Sequence, residues 1–269
     1  MKTFQSKITF KKLFWFYIAS ISLLLSGSLV SNNHSLWVLF ILIWCNISGL
    51  FLIYKFNATV DQKAELKVNI LRFFSFPSHS IVFIQFIFLV IPFAVFFLEK
   101  EVLCILSIAS IFGFLYAIRL KNIFFVKNAL IGLAWGSLVL IGSKDMFQTD
   151  VIYIFVFCSL QVFIGGVIRD VPDLEMDRSN NVITFPVLIG VKKTINLMHI
   201  INLSTAFLLL LFADNFNYFI VFLLPTTWRF FNLALLNSHP YNIKWSQWMN
   251  LFTCVLIFLV TLLNVFILK

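Results

Sequence analysis

The feature that leaves this chain fewest options is the recurrence of apolar runs long enough to cross a lipid bilayer. A spanning helix needs about 20 mainly apolar residues. Nine stretches qualify by that test, at roughly 13–30, 36–56, 80–98, 102–118, 125–142, 150–169, 194–213, 216–237 and 248–267. A chain that is 61% hydrophobic and 12% charged, with 35 Phe, is no ordinary soluble domain. The expected fold is an all-α integral membrane protein: nine transmembrane helices around a central cavity, with residues 1–269 as a single polytopic domain. Lys2, Lys7, Lys11 and Lys12 precede the first run as they would in a signal peptide. Further spanning segments follow, so that run reads as a retained first helix.

The formal net charge of +9 does not point to nucleic acid, because Lys and Arg are spread over the loops between apolar runs. It points to topology. With the N-terminus in the cytoplasm, sixteen of the 20 Lys and Arg fall on the cytoplasmic side, and only Lys100, Lys144 and Lys269 fall opposite. That asymmetry obeys the positive-inside rule. It places the C-terminus across the membrane, which is expected to be the inner membrane of a bacterial cell. Arg229 is left inside the eighth run and is expected to snorkel to the cytoplasmic headgroups. Cys45, Cys104, Cys158 and Cys254 lie in apolar runs without paired spacing and read as small hydrophobes. The four histidines show no metal spacing.

The acidic residues are less evenly placed. On the cytoplasmic side they occupy two loops, at about 57–72 and 169–193, after the second and sixth runs. The second loop opens Arg169-Asp170-Val171-Pro172-Asp173-Leu174-Glu175-Met176-Asp177-Arg178, four carboxylates between two arginines. Carboxylates crowded at a membrane surface repel unless a cation lies among them. In the first loop, Asn57, Asp61 and Glu65 are four apart and share one face of a helix leaving the membrane. An amide oxygen and two carboxylates are hard donors suited to Mg2+. Asp170, Asp173 and Asp177 again read as one helical face, with Pro172 requiring that the sixth helix end near Arg169–Asp170 and a new one start at Pro172. Glu175 lies off that face, toward solvent. The bland alternative is solvated loop charge paired with Lys63, Lys67, Arg169 and Arg178. Two such loops on one side favour a metal–diphosphate site. Their separation by four runs suits two four-helix repeats plus one helix, with the site between repeats. Asn46 shares the face of Asn57 deeper in the membrane and reads as a hydrogen-bonded packing residue.

These residues resemble the UbiA superfamily of intramembrane prenyltransferases, which has nine transmembrane helices and two aspartate-rich motifs on cytoplasmic loops. Asn57, Asp61 and Glu65 fit the first motif, with Glu65 replacing the usual third aspartate. Asp170, Asp173 and Asp177, followed by Thr184-Phe185-Pro186 and Gly190, fit the second and its downstream tail. Met176 and Asn180-Asn181 stand where glycines are common. Arg72 resembles the arginine after the first motif. Tyr116, Arg119, Lys121, Lys127 and Asn128 resemble the tyrosine-then-basic stretch joining helices four and five, and Lys192 and Lys193 follow Gly190 as basic residues do there.

The resemblance implies Mg2+-dependent transfer of a prenyl group from an isoprenyl diphosphate to a lipophilic, aromatic acceptor within the bilayer. Asn57, Asp61, Asp173 and Asp177 are then the catalytic ligands, with Glu65 and Asp170 completing the metal set. Arg72, Arg119, Lys121, Lys127 and Tyr116 are the diphosphate-binding candidates. Two other readings stay open on the sequence: a membrane terpene cyclase, and a non-catalytic or transport protein that binds a phosphorylated lipid.

Overall fold

The structure is a computed structural model that describes residues 10–31, 36–61, 100–118, 123–212, 217–238 and 243–267. Among these residues every regular element is an α-helix: α1 (Phe10–Val30), α2 (Leu36–Asp61), α3 (Lys100–Ile118), α4 (Val126–Gly142), α5 (Thr149–Asp170), α6 (Leu174–Ser179), α7 (Phe185–Ile189), α8 (Val191–Phe212), α9 (Asn217–Ser238) and α10 (Ile243–Ile267). The long helices fall on eight of the expected apolar runs; the run at 80–98 lies outside the described residues. Thr149–Asp170 and Trp248–Phe266 are each long and apolar enough to cross a membrane, while Phe14–Val30, Trp37–Leu50 and Val126–Gly142 are shorter apolar stretches. α2 outruns its apolar stretch and carries Asn57 and Asp61 in its last turns.

Helices α1, α4, α5, α8, α9 and α10 pack in a closed circuit, each against the next, and α5 also touches α1, α9 and α10 across it. α2 and α3 flank the circuit beside α1 and α4. The sequence of α5 explains its central place. Val151, Ile154, Phe157, Cys158, Ile164, Val167 and Ile168 are all buried, and they fall around the helix without the one-sided stripe of a surface helix.

Apolar residues gain little from one another where the solvent is itself apolar, so close backbone approach carries much of the association. A side chain at Gly142 would meet the Leu24 carbonyl, and one at Gly27 would meet the Val139 carbonyl, which gives α1 and α4 a tight crossing. Serines that would leave polar atoms stranded in such a core turn back on their own helices: Ser22 donates to the Ile18 carbonyl at 2.8 Å and Ser26 to Ser22 at 2.9 Å. Asn46 donates to Ser20 Oγ at 3.1 Å, the bridging role expected of it.

Two apolar clusters fill the interior. One holds Leu23, Leu24, Val139, Ile154, Phe157, Phe222 and Ile257. The other holds Ile164, Val167, Ile168, Ile195, Met198 and Leu233, nearer the C-terminal end of α5. Between them lies a polar layer around Arg229. This corrects the expectation that Arg229 reaches the headgroups: it is 1% exposed and is tied to Gln161 and Asn250. A guanidinium with five donors is held inside when oxygens are aimed at it, and the apolar run gave no sign that two other helices supply them.

Gly142→Val is expected to destabilise the fold by about 1–3 kcal/mol, because overpacked side chains force backbone shifts. Thermal unfolding in detergent measures it, and a midpoint equal to wild type would contradict the α1–α4 crossing.

Candidate functional site

The C-terminal end of α5, the N-terminal end of α4 and the short helices α6 and α7 meet at one end of the bundle. Asp170 is the last residue of α5 and is 1% exposed. The ammonium of Lys127 donates to its Oδ1 at 2.6 Å, and Asn128 Nδ2 donates to its Oδ2 at 2.9 Å. Both carboxylate oxygens are thereby engaged by α4. Gly166, one turn below, allows this approach, since a side chain there would meet Asn128. Asn128 Oδ1 is buried without a hydrogen-bond partner.

The entry to α4 is strained. Phe125 has φ 67° and ψ −46°, and Val126 N–H donates to the Phe124 carbonyl at 2.8 Å, which together make a γ-turn of the costly hand. Aromatic packing holds it there. Phe124 lies 4.9 Å from Phe185 between ring centroids, and Phe125 lies 5.6 Å from Phe163. The turn sets Lys127 and Asn128 at the start of α4, facing Asp170.

Beyond Asp170 the chain departs from a single helical face. Val171 N–H bonds to the Ile168 carbonyl and Leu174 N–H to that of Val171, two tightened turns around Pro172. The new helix starts at Leu174 rather than at Pro172. Asp173 and Asp177 stay in register through the Asp177 N–H to Asp173 carbonyl bond of 2.8 Å. α6 closes with Asn181 at φ 55° and with Val182 N–H on the Asp177 carbonyl. Asparagine tolerates this left-handed position, so Asn181 does the work of a glycine there. Thr184 caps α7 in extended conformation, Pro186 lies in its first turn, and Gly190 leaves it at φ 81°. Thr184 Oγ1 donates to Asp177 Oδ2 at 3.3 Å.

Burial pushes the carboxyl of Asp173 above the usual aspartate range; nearby Arg169 and Lys127 pull it down, and Asp170 pushes it up. Burial likewise raises Asp177, with Lys127 and the Thr184 hydrogen bond opposing and Asp170 and Asp173 adding to the rise. These are hard oxygen donors held at a cost that a divalent cation would relieve. Mg2+ is commonly held by one or two carboxylates with substrate phosphates completing its shell, so Asp173 and Asp177 suit it. Among the described residues no three His, Cys, Asp or Glu side chains converge on a single metal point.

Glu175 is 77% exposed at the side chain and lies 3.6 Å from Arg178, a surface pair. Lys192 and Lys193 are exposed at the start of α8. Glu65, Arg72, Arg119 and Lys121 lie outside the described residues, as do the side chains of Asn57, Asp61 and Tyr116. The ends of their helices can still be placed. The Asn46–Ser20 bond and the short link between α1 and α2 make these helices antiparallel. Lys144 N–H, just after α4, donates to Ser31 Oγ, just after α1, at 2.9 Å, so α1 and α4 finish together. The end of α2, with Asn57 and Asp61, therefore lies at the same end of the bundle as Asp170, Asp173 and Asp177. Lys127 and Asn128 as a joint clasp on Asp170, and Thr184 on Asp177, were missed as partners. The Thr184 contact had a signal, since the threonine belongs to the tail of the second motif.

The architecture is thus that of a helical membrane protein with an acidic rim at one end. The model of the UbiA prenyltransferase family matches residues 75–260, and the chain belongs to that family, whose members are integral membrane proteins. No curated protein matches the chain in sequence. Among solved structures, a UbiA homologue from Archaeoglobus fulgidus bound to GPP and Mg2+ is 14% identical; the match covers 95% of this chain and 97% of that one at a TM-score of 0.72. An apo UbiA homologue from Aeropyrum pernix is 15% identical over 93% and 98% of the chains, with a TM-score of 0.66. A structure of digeranylgeranylglyceryl phosphate synthase is 22% identical over 93% and 91%, with a TM-score of 0.61. At such identities the likeness is one of fold.

The raised carboxyls give a pH dependence with a definite sign. A carboxylate whose folded value exceeds its unfolded one favours the fold when protonated, and that contribution is lost as pH rises from the ordinary aspartate value of 3.8 through the raised folded value. Without divalent cations, Asp173→Asn and Asp177→Asn are therefore expected to melt above wild type at neutral pH, with the difference closing toward acid. Thermal unfolding in EDTA across pH tests this; variants that melt below wild type at neutral pH would contradict it.

Proposed function

We propose that this chain transfers a prenyl group from an isoprenyl diphosphate to a lipophilic, aromatic acceptor in the bilayer, with Mg2+ as cofactor. The observation carrying the proposal is the pair Asp173 and Asp177, held above the ordinary aspartate range at the bundle end where α2 delivers Asn57 and Asp61. The homologue bound to GPP and Mg2+ supports the choice of donor and ion. Residues 1–269 then form one domain of nine spanning helices, with the N-terminus and both acidic loops cytoplasmic.

Asp173, Asp177, Asn57, Asp61 and Glu65 would hold Mg2+. When bound, the ion supplies charge stabilisation for the departing diphosphate. Asp170 takes a different part from that expected: it anchors Lys127 and Asn128 and holds a cation beside the diphosphate. Arg72, Arg119, Lys121 and Tyr116 would bind diphosphate oxygens, so that charge developing on the leaving group meets donors already in place. The prenyl tail lies among the apolar residues of the bundle, which exclude water. Dry surroundings let the allylic cation left by C–O cleavage persist until the acceptor attacks, because water would quench it.

Purified protein with Mg2+, labelled geranylgeranyl diphosphate and a panel of phenolic acceptors tests the reading. Prenylated product is expected, abolished by EDTA and lowered at least ~100-fold in Asp173→Asn and Asp177→Asn, since even outer partners of a metal cost 10–100-fold. No diphosphate release with any acceptor would overturn it. Orientation has its own test. Met176 is 55% exposed; Met176→Cys in a Cys104→Ser background should react with an impermeant maleimide only from the cytoplasmic face.

A further inference from the structure

The polar layer midway along α5 has no part in the chemistry above, yet among the described residues it is densely bonded. Arg229 of α9 donates from Nε to Gln161 Oε1 at 3.1 Å and from Nη2 to the Gln161 carbonyl at 2.9 Å. Its Nη1 donates to Asn250 Oδ1 of α10. Asn250 Nδ2 in turn donates to the Gly165 carbonyl at 3.1 Å. Gln161 Nε2 donates to Asn202 Oδ1 of α8 at 2.8 Å, and Asn202 Nδ2 to the Thr226 carbonyl at 3.0 Å. Among the described residues, each acceptor of the guanidinium is a neutral amide oxygen. A full charge thus lies at 1% exposure without a carboxylate among those partners.

Such an arrangement is a poor way to gain stability, because desolvating a charge costs more than neutral dipoles readily return. It is a good way to fix geometry. The fork grips one residue of α5 through both its side chain and its main chain, which a non-directional apolar contact cannot do. Gly165 is the second point of contact: a side chain there would lie 3.2 Å from Asn250 Oδ1. Gly166, its neighbour, faces Asn128 of the acidic end. Consecutive residues of α5 therefore touch the Arg229 layer and the Asp170 clasp, and rotating α5 to satisfy one displaces the other.

We propose that Arg229 is a positioning residue, which locks the rotation of α5 so that Asp170 meets Lys127 and Asn128 and the following turn presents Asp173 and Asp177 to the cation and diphosphate. The inference rests on the function proposed above. Its role is directional: the fork is required, beyond the charge alone.

Binding of Mn2+ with inorganic pyrophosphate, followed by electron paramagnetic resonance of the detergent-solubilised protein, tests it without turnover. Wild type should bind the pair; no binding there overturns the proposed function itself. Arg229→Lys keeps charge but loses the fork, and its affinity should fall about 10–100-fold, a loss of the size seen when groups that orient metal ligands are removed. The triple variant Gln161→Met, Arg229→Met, Asn250→Leu removes the whole polar set together and should melt at or above wild type, as apolar replacements of buried charge often do. It should nevertheless bind as weakly as Arg229→Lys. Binding equal to wild type in either variant, with wild type binding well, overturns the positioning role.

Discussion

Asp170 is the residue at which this structure changes character. It ends the central helix, it is buried, and both its oxygens are taken by the first side chains of α4. A buried carboxylate with no partner would cost several kcal/mol, so α5 and α4 must meet here once the bundle closes. The meeting point has consequences on either side. Toward the interior it requires Gly166 to be small. Toward the surface it fixes where the helix gives way to Pro172 and where the next acidic turn begins. Lys127 then serves two carboxylate environments, since it bonds Asp170 and lowers both Asp173 and Asp177.

This arrangement separates three aspartates that look alike in spacing. Asp170 has spent its charge on protein donors. Asp173 and Asp177 retain theirs at an energetic cost, with one threonine hydroxyl as the described hydrogen bond to the pair. Asp170 is therefore the carboxylate anchored by α4, and Asp173 and Asp177 are the pair raised by burial. Strain follows the same division. The γ-turn at Phe125 lies beside the anchor, held by Phe163 and Phe185, and the left-handed Asn181 lies after the ligand pair.

Much of this was legible in the sequence because lipid removes alternatives. With no water to satisfy the backbone, a long apolar run is helical, and charge is confined to the ends. That logic placed eight helices and brought the end of α2 and the second acidic loop to one end. It failed at Arg229, where charge lies within an apolar run. Its partners Gln161 and Asn250, and Asn202 behind Gln161, belong to three different helices, so no local window shows that they converge. It also missed the clasp of Lys127 and Asn128 on Asp170, because the spacing of Asp170, Asp173 and Asp177 shows neither the break at Pro172 nor the approach of α4.

The two failures have a common cause and it bears on how the site is held. Periodicity reports which face a residue occupies, not which neighbouring helix arrives with a donor. Polar residues inside a bundle are read by partners of high sequence separation: Lys127 and Asp170 are 43 apart, and Arg229 and Gln161 are 68 apart. Both bonds land on α5, one at its end and one about two turns below. Apolar packing alone leaves a helix free to turn a little within its neighbours, since dispersion is insensitive to direction. Hydrogen bonds at two heights remove that freedom. Lys127 at its end and Arg229 near its middle thus fix the rotation of α5 relative to α4 and α9.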